Sequence, residues 1–479
     1  MITLENVSYA YPRTDRDAIV GISLSLKGGE CVLVAGHSGS GKTTLCLAAA
    51  GILEHEYEGK KSGRVLVDGR DVREYRDLTD LSSHVGILFD DPDSQLLFTT
   101  VEEEILSTLE RRGLPPEEVE RRLARVLAVT GLKELKDRPP HALSGGQKQR
   151  VVLATTLALS TDVIILDEPT SELDEQGTGS IVRLLEELKA EGKAILLIEQ
   201  KYAKMADLVD RIMVLENGRI RVEGPRDKVL EDEHARRTLI PDFSGMRAEK
   251  GVRDADSPII ETHDLFFSYG EGDTALSGID LSISPGEFLA IVGENGSGKT
   301  TLIRHFIGLL RPGKGTVVVD GKDAACESIA ELARSVGLVF QNPDHMFFAD
   351  SVFEEVVFGV DNLGIPDREK AVMEALALVR LTAARDQYPR WLSRGERQRL
   401  AIACVLAMRP PVLILDEPTT GLDGAESYEI VEILKQLQKM GHTIIMVTHS
   451  SEIADCADRV VRMEAGRVVS DTRKEVFHG

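Results

Sequence analysis

The segment GHSGSGKTT at 36 to 44 returns as GENGSGKTT at 293 to 301, so the chain is read first as a repeat. Around it, VIILDEPTSELD at 163 to 174 returns as VLILDEPTTGLD at 412 to 423, and HALSGGQKQR at 141 to 150 as RWLSRGERQR at 390 to 399, in the same order and with the same 22-residue step between these last two. An apolar run precedes each glycine loop, CVLVAG at 31 to 36 and FLAIVG at 288 to 293, and a helix-compatible segment follows. That is the strand, loop and helix setting such a loop requires. LLIE at 196 to 199 and IIMVTH at 444 to 449 read as later core strands. Alternating strands and helices predict α/β layers around a mostly parallel sheet.

A chain of 479 residues is long for one domain. The expected division is 1–240 for the first unit, 241–257 for a linker and 258–479 for the second. The linker, PDFSGMRAEKGVRDADS, carries Pro, Gly and mixed charge without periodicity. At roughly 3.3 Å per residue it reaches at most ~60 Å, enough to join neighbouring domains.

Hydrophobic content of 42% and charged content of 28% are globular values. A net charge of -22 leaves no basic footprint, so nucleic acid is not an expected partner. Cys31, Cys46, Cys326, Cys404 and Cys456 are scattered and never form a CxxC pair, which argues against a disulfide framework or a zinc site. The opening MITLENVSYAYP reads as a strand rather than a signal peptide. The most apolar stretches, near 151–166 and 400–415, are interrupted by Asp162 and by Arg409-Pro410-Pro411, so any membrane role is expected to be peripheral.

A loop that encircles phosphates must bring its N–H groups close, at turns where a Cβ would clash. Gly36, His37, Ser38, Gly39, Ser40, Gly41, Lys42, Thr43 and Thr44 are therefore expected to hold nucleotide in the first half. Gly293, Glu294, Asn295, Gly296, Ser297, Gly298, Lys299, Thr300 and Thr301 do so in the second. Lys42 and Lys299 suit the β and γ phosphates, and the hydroxyls of Thr43 and Thr300 suit Mg²⁺. Each LDEP strand ends in two adjacent carboxylates, which point to opposite sides. Asp167 and Asp416 suit the metal shell. Glu168 and Glu417 suit polarising the attacking water, because γ-phosphate hydrolysis is largely positioning and charge compensation.

Together these motifs resemble the ATP-binding-cassette (ABC) ATPases, across nearly the whole chain and twice over; the LSGGQ-type segment between the loop and the LDEP strand is specific to that family. The resemblance implies two P-loop cassettes, each with an antiparallel β subdomain and a helical subdomain, hydrolysing ATP with Mg²⁺. It implies head-to-tail pairing, expected within one chain, in which each ATP lies between the phosphate loop of one cassette and the signature of the other. The signatures are Ser144, Gly145, Gly146 and Gln147, and Ser393 and Gly395. Gln341 matches the Q-loop residue that reaches the metal, and His449 the switch histidine. Tyr11 and Tyr269 match the aromatic that stacks on adenine, with an ordinary strand tyrosine as the alternative.

VGLVFQNPDHMFFADSVFEEVVFGVDNLGIP at 336 to 366 resembles the Q-loop region of energy-coupling-factor transporter ATPases, importers of vitamins and of cobalt or nickel ions. FQNPD carries most of that likeness, and 85 to 105 is a worn version of it. The resemblance implies a transmembrane coupling subunit, a membrane substrate-capture subunit and a place on the cytoplasmic face of the membrane, with coupling near Pro92–Gln95 and Pro343–Phe347. A ribosome-bound tandem cassette protein is the alternative, but its charged linker helix pair has no counterpart at 241 to 258. A tandem sugar importer is a nearer rival, against which FQNPD argues.

The halves differ at named positions. Asp90 stands where the second half has Gln341, Gln200 where it has His449, and the second signature carries Arg394 and Glu396. Head-to-tail pairing gathers all four departures in one composite site and leaves the other with Lys299, Gln341, Asp416, Glu417 and His449 facing Ser144 and Gly146. An extra charge at Asp90 opposes γ-phosphate, and Gln200 cannot become cationic. Arg394 either adds useful charge or hinders closure. The first site is expected to bind ATP and hydrolyse it slowly or not at all.

Overall fold

The computed structural model describes residues 1–479 except 13, 15, 16, 172, 174, 200, 201, 247–256, 271–273 and 473–479. Short apolar runs build the core of each half. Cys31–Ala35, Val163–Asp167 and Ala194–Ile198 are buried at every position, and so are Phe288–Val292, Val412–Asp416 and Thr443–Val447. Strands buried on both faces need layers on both sides, which a parallel sheet with crossover helices provides.

The first unit orders its six-stranded sheet Arg219–Pro225, Arg211–Glu216, Cys31–Ala35, Ala194–Ile198, Val163–Asp167, Val85–Leu88. The second repeats that order as Arg467–Asp471, Arg459–Glu464, Phe288–Val292, Thr443–Val447, Val412–Asp416, Val336–Val339. Pairing is parallel except in each outer hairpin. Because Asp167 pairs with Ile198 and Asp416 with Val447, the phosphate loop, the carboxylates and the residues after 198 and 447 meet at one sheet edge. Crevices beyond the carboxyl ends of parallel strands are where such sheets bind ligands. Each unit also has a four-stranded antiparallel sheet, led by Ile2–Ala10 and by Ile260–Ser268.

Between the Q-loop strand and the LDEP strand each half inserts three helices: Val101–Glu110, Pro116–Val129 and Gly145–Ala158, and Val352–Leu363, Arg368–Leu378 and Arg394–Leu406. Thr100 and Ser351 cap the first of each trio by accepting from the backbone N–H of Glu103 and Glu354 at 3.1 and 3.2 Å. In the first unit their apolar faces close a small core, with Val101, Ile105, Leu127 and Val151 among its residues, and in the second they join the main core under the sheet.

The chain divides into Met1–Pro241 with Asp423–Ala425, and Asp242–Leu422 with Glu426–Gly479. Most of the expected linker lies outside the described residues. Its beginning does not hang free: Phe243 is buried in the core of the second unit, its ring stacked on Tyr428 at 6.0 Å. Among the described residues no helix is long and apolar enough to cross a membrane. The five cysteines are free thiols.

Candidate nucleotide site

Backbone geometry at the two glycine loops admits no side chain at key points. Gly36 and Gly293 have φ of 147° and 156°, and a Cβ there would lie 2.3 Å from the carbonyl oxygens of Leu215 and Met463. Gly41 and Gly298, which open the following helices, would meet the carbonyls of Ala18 and Ala275 at 2.5 and 2.6 Å. Lys42 folds back over its loop, donating to the carbonyls of Gly36 and His37 at 2.7 and 2.9 Å. Lys299 does the same to Gly293 and Glu294, at 2.8 and 2.9 Å. The loop and its lysine are thus one preformed cradle in each unit. Ser40 and Ser297 point buried hydroxyls, without a partner, into the same loops.

Thr43 Oγ1 donates to Asp167 Oδ2 at 2.8 Å, and Thr300 Oγ1 to Asp416 Oδ2 at 3.0 Å, so each expected metal-binding pair is assembled. Burial pushes the Asp167 carboxyl up to about 6, helped by the nearby charges of Asp90 and Glu199. Asp416 is also pushed up to about 6, first by burial and then by Glu417, against the bond from Thr300. Asp416 Oδ1 is buried with no partner. An orphaned carboxylate oxygen beside a threonine hydroxyl fits a hard cation that keeps oxygen ligands. Among the described residues no cluster of three or more His, Cys, Asp or Glu suits a metal.

The raised pKa has a stability consequence. A carboxyl near 6 in the fold and near 3.9 in the unfolded chain loses stability as pH rises between those values. Without nucleotide and with chelator present, Asp416→Asn is expected to raise unfolding free energy at pH 7.5 by about 1–3 kcal/mol and to have little effect at pH 4. Denaturant titrations at the two pH values check it; a destabilised variant at pH 7.5 contradicts it.

Glu168 and Glu417 come next, with φ of 51° and 49°, a left-handed conformation that is costly outside glycine. It is imposed by the sheet: the N–H of Glu168 donates to Ile198 O at 2.9 Å, and that of Glu417 to Val447 O at 3.0 Å. Glu417 Oε2 lies 2.8 Å from His449 Nδ1 and accepts from Thr420 Oγ1 at 3.4 Å. The structure therefore brings Glu417 and His449 together, two residues 32 positions apart in sequence. Gln200, which stands at the place of His449, lies outside the described residues.

One residue earlier, Glu199 is a buried carboxylate where the second unit has Thr448, and it accepts from Thr170 Oγ1 at 2.6 Å. The sequence reading passed over it, although an acid straight after the buried run LLI carries the same signal as LDEP. Asp90 and Gln341 sit two residues beyond the Q-loop strands, which pair beside the LDEP strands, so both stand at the carboxylate edge.

Signature residues open helices in their own units. Ser144 and Gln147 form a reciprocal capping box: Ser144 Oγ accepts from Gln147 N at 3.4 Å and Gln147 Oε1 accepts from Ser144 N at 3.0 Å. Ser393 and Glu396 form the same box at 3.2 and 2.8 Å. Glu396 thus does the local work of Gln147, and the change is conservative for the helix. Arg394 lies over Gly421, where a Cβ would come 2.3 Å from its guanidinium carbon. Its long side chain is accommodated by a glycine of the turn after the LDEP strand of its own unit. Gly145 and Gly146 lie in the first turn of their helix, and Gly395 is buried against Glu426.

Tyr11 and Tyr269 hydroxyls lie 3.3 and 3.2 Å from Thr44 Oγ1 and Thr301 Oγ1. Their rings stand edge-on to Tyr9 and Phe267, at 4.9 and 5.0 Å. Sequence reasoning missed Glu104 and Glu355, buried acids that hold the Q-loop segments. Glu104 Oε2 accepts from the N–H of Leu97 and Phe98, and Glu355 Oε2 from Phe348 and Ala349, at 2.8 to 2.9 Å.

The family described as ABC transporter matches residues 19–171 and 276–420. A protein of Methanosarcina acetivorans, described by inference as an ABC transporter ATP-binding protein, is 47% identical over 100% of this chain and 92% of its own. One of Methanosarcina mazei with the same description is 47% identical over 98% of this chain and 95% of its own. A solved structure of CbiO1 from Clostridium perfringens, described as part of the ABC transporter complex CbiONQ, is 41% identical. It covers 46% of this chain and 91% of that one, with a TM-score of 0.44.

Proposed function

The chain belongs to the ABC transporter family as a tandem of two ATP-binding cassettes, and from that premise we propose that it couples ATP hydrolysis to an energy-coupling-factor importer. The transported solute is of the vitamin or transition-metal class, and its capture falls to a membrane subunit. The observation that carries the reading is the segment Gln341–Phe348. It runs from the carboxylate edge to a phenylalanine that is 64% exposed, pinned by the buried Glu355. Phe358 packs edge-on against Phe348 at 4.7 Å and is exposed too. Leu97 is the exposed counterpart in the first cassette. Exposed apolar groups held rigidly beside a nucleotide site suit a membrane partner's helix.

Turnover falls to the site with Lys299, Thr300, Gln341, Asp416, Glu417 and His449, closed by Ser144, Gly145, Gly146 and Gln147 from the first cassette. Thr300, Gln341 and Asp416 would hold Mg²⁺ there, and Thr43 and Asp167 in the first cassette; when bound it supplies positive charge against the phosphates. Glu417 polarises the attacking water, and His449 orients that carboxylate and offers a cation as charge develops. Tyr11 and Tyr269 stack on adenine. The other site, with Lys42, Thr43, Asp167 and Glu168 intact, carries Asp90 and Glu199 as added negative charge and closes with Ser393 and Gly395. It is a clamp that binds ATP and turns over slowly.

The test is recovery of the tagged full chain from its own cells in mild detergent. Polytopic membrane proteins are expected to co-purify, and Phe348→Asp is expected to lower their recovery about tenfold at unchanged melting temperature. Recovery with ribosomes and without membrane proteins overturns the reading.

A further inference from the structure

The helix that begins with each signature also carries, at its fifth residue, a buried glutamine: Gln149 on Gly145–Ala158 and Gln398 on Arg394–Leu406, 2% and 3% exposed. Gln149 Nε2 donates to the carbonyl oxygen of Glu168 at 2.6 Å and to Ser171 Oγ at 3.2 Å. The carbonyl it grips belongs to the residue held at φ 51°. That turn is therefore fixed at both ends, by Ile198 O on its N–H and by the Gln149 amide on its carbonyl. In the second cassette the same glutamine has Nε2 buried without a partner. Thr420 stands there in place of Ser171, and its hydroxyl turns to Glu417 Oε2 instead.

Buried amide donors are nearly always paired, so an unpaired one marks an arrangement that another state completes. A left-handed non-glycine residue persists only where its surroundings over-determine it, and Glu417 has the backbone constraints, its N–H on Val447 O and its carbonyl accepting from Thr420 N at 3.2 Å, without the side-chain amide that also grips Glu168. The box of Ser393 and Glu396 makes the start of the signature helix one rigid piece with Gln398, so a shift of the signature moves the amide with it.

We propose that Gln398 is a positioning residue for Glu417: its amide closes onto the Glu417 carbonyl, as that of Gln149 does at Glu168, and thereby fixes the turn that aims the carboxylate. The state of each signature is then reported to the glutamate of its own cassette, which serves the opposite composite site. This rests on reading Glu417 as the residue that activates water.

Steady-state ATP hydrolysis by the full chain tests it. Gln398→Met, which keeps the shape and removes the donor, is expected to lower kcat about tenfold while KM for ATP stays within twofold. Gln398→Glu, of the same volume and also without the amide donor, is expected to do likewise and decides the matter should the methionine variant not fold. A kcat within twofold of the parent, or kcat and KM changing together, overturns the proposal. Glu417→Gln run alongside separates the failures: normal hydrolysis by that variant sinks the assignment of Glu417 itself, whereas its inactivity beside a fully active Gln398→Met sinks the role of Gln398 alone.

Discussion

Glu417→Gln is expected to lower steady-state ATP hydrolysis by the full chain about 100-fold or more, whereas Glu168→Gln is expected to leave at least about half of it. Removing a positioned general base typically costs 10² to 10⁴ in rate, which sets the scale of the first effect. The second is expected to be small because, on the proposed asymmetry, the site of the first cassette has little turnover to lose. Burial first, and then Asp90 and Glu199, push the Asp167 carboxyl up to about 6, the same level as Asp416, so what sets the first site apart is the extra negative charge itself and not the ionisation of that carboxyl. Around Asp416 the arrangement is different: Glu417 is held to His449 at 2.8 Å, and Thr448 replaces the extra acid. A neutral amide at 417 keeps that hydrogen bond and the shape of the site while removing the basic oxygen. Nucleotide binding is therefore expected to survive, and a fluorescent ATP analogue should bind Glu417→Gln within a few-fold of the parent. Equal losses of hydrolysis from the two variants would sink the asymmetry.

The sheet-edge site was legible in the sequence because its parts are local. A glycine loop after an apolar run, and two acids after another, each state their own place on a strand end. Parallel pairing then carries them to one edge, as it does for Thr43 with Asp167 and Thr300 with Asp416. What escaped is of two kinds. Some signals were present and not used: Ser393 with Glu396 three residues on is a capping box, so Glu396 starts its helix as Gln147 does. Glu199 likewise follows a buried run and was passed over for its neighbour Gln200. Others are invisible without tertiary structure. Nothing near Glu104 or Glu355 shows that an acid within an apolar helix face turns back to hold two backbone N–H groups. For Arg394 the sequence leaves useful charge and obstruction as alternatives, and it does not show that the guanidinium lies over Gly421, 27 residues later, where a side chain would collide with it. Phe243 falls in a stretch rich in Pro and Gly, and only packing on Tyr428 distinguishes it from tether.

A buried ion triad at the start of the strand Phe288–Val292 supports the last expectation, which concerns stability. Arg459 reaches Asp471 with two bonds of 2.8 and 2.7 Å, Glu287 at 3.2 Å and the Ser282 carbonyl at 2.8 Å. Its side chain is 3% exposed, and those of the two acids 1% and 5%. The first cassette builds the same figure from Arg211, Glu30 and Glu223, but there the arginine is 26% exposed. Removing one member of a buried set strands the others, at about 3–5 kcal/mol, whereas solvent-screened pairs are worth about 1 kcal/mol or less. Arg459→Met is therefore expected to lower the calorimetric melting transition of the second cassette by about 10 °C, and Arg211→Met that of the first by only about 2 °C. Glu287 directly precedes the strand Phe288–Val292 that delivers Gly293, so nucleotide affinity should fall with Arg459→Met as well. If stranded charge is the cause, neutralising it helps: Arg459→Met combined with Glu287→Gln and Asp471→Asn should recover part of the lost stability. A triple variant less stable than the single one would assign the loss to packing of the guanidinium stem instead.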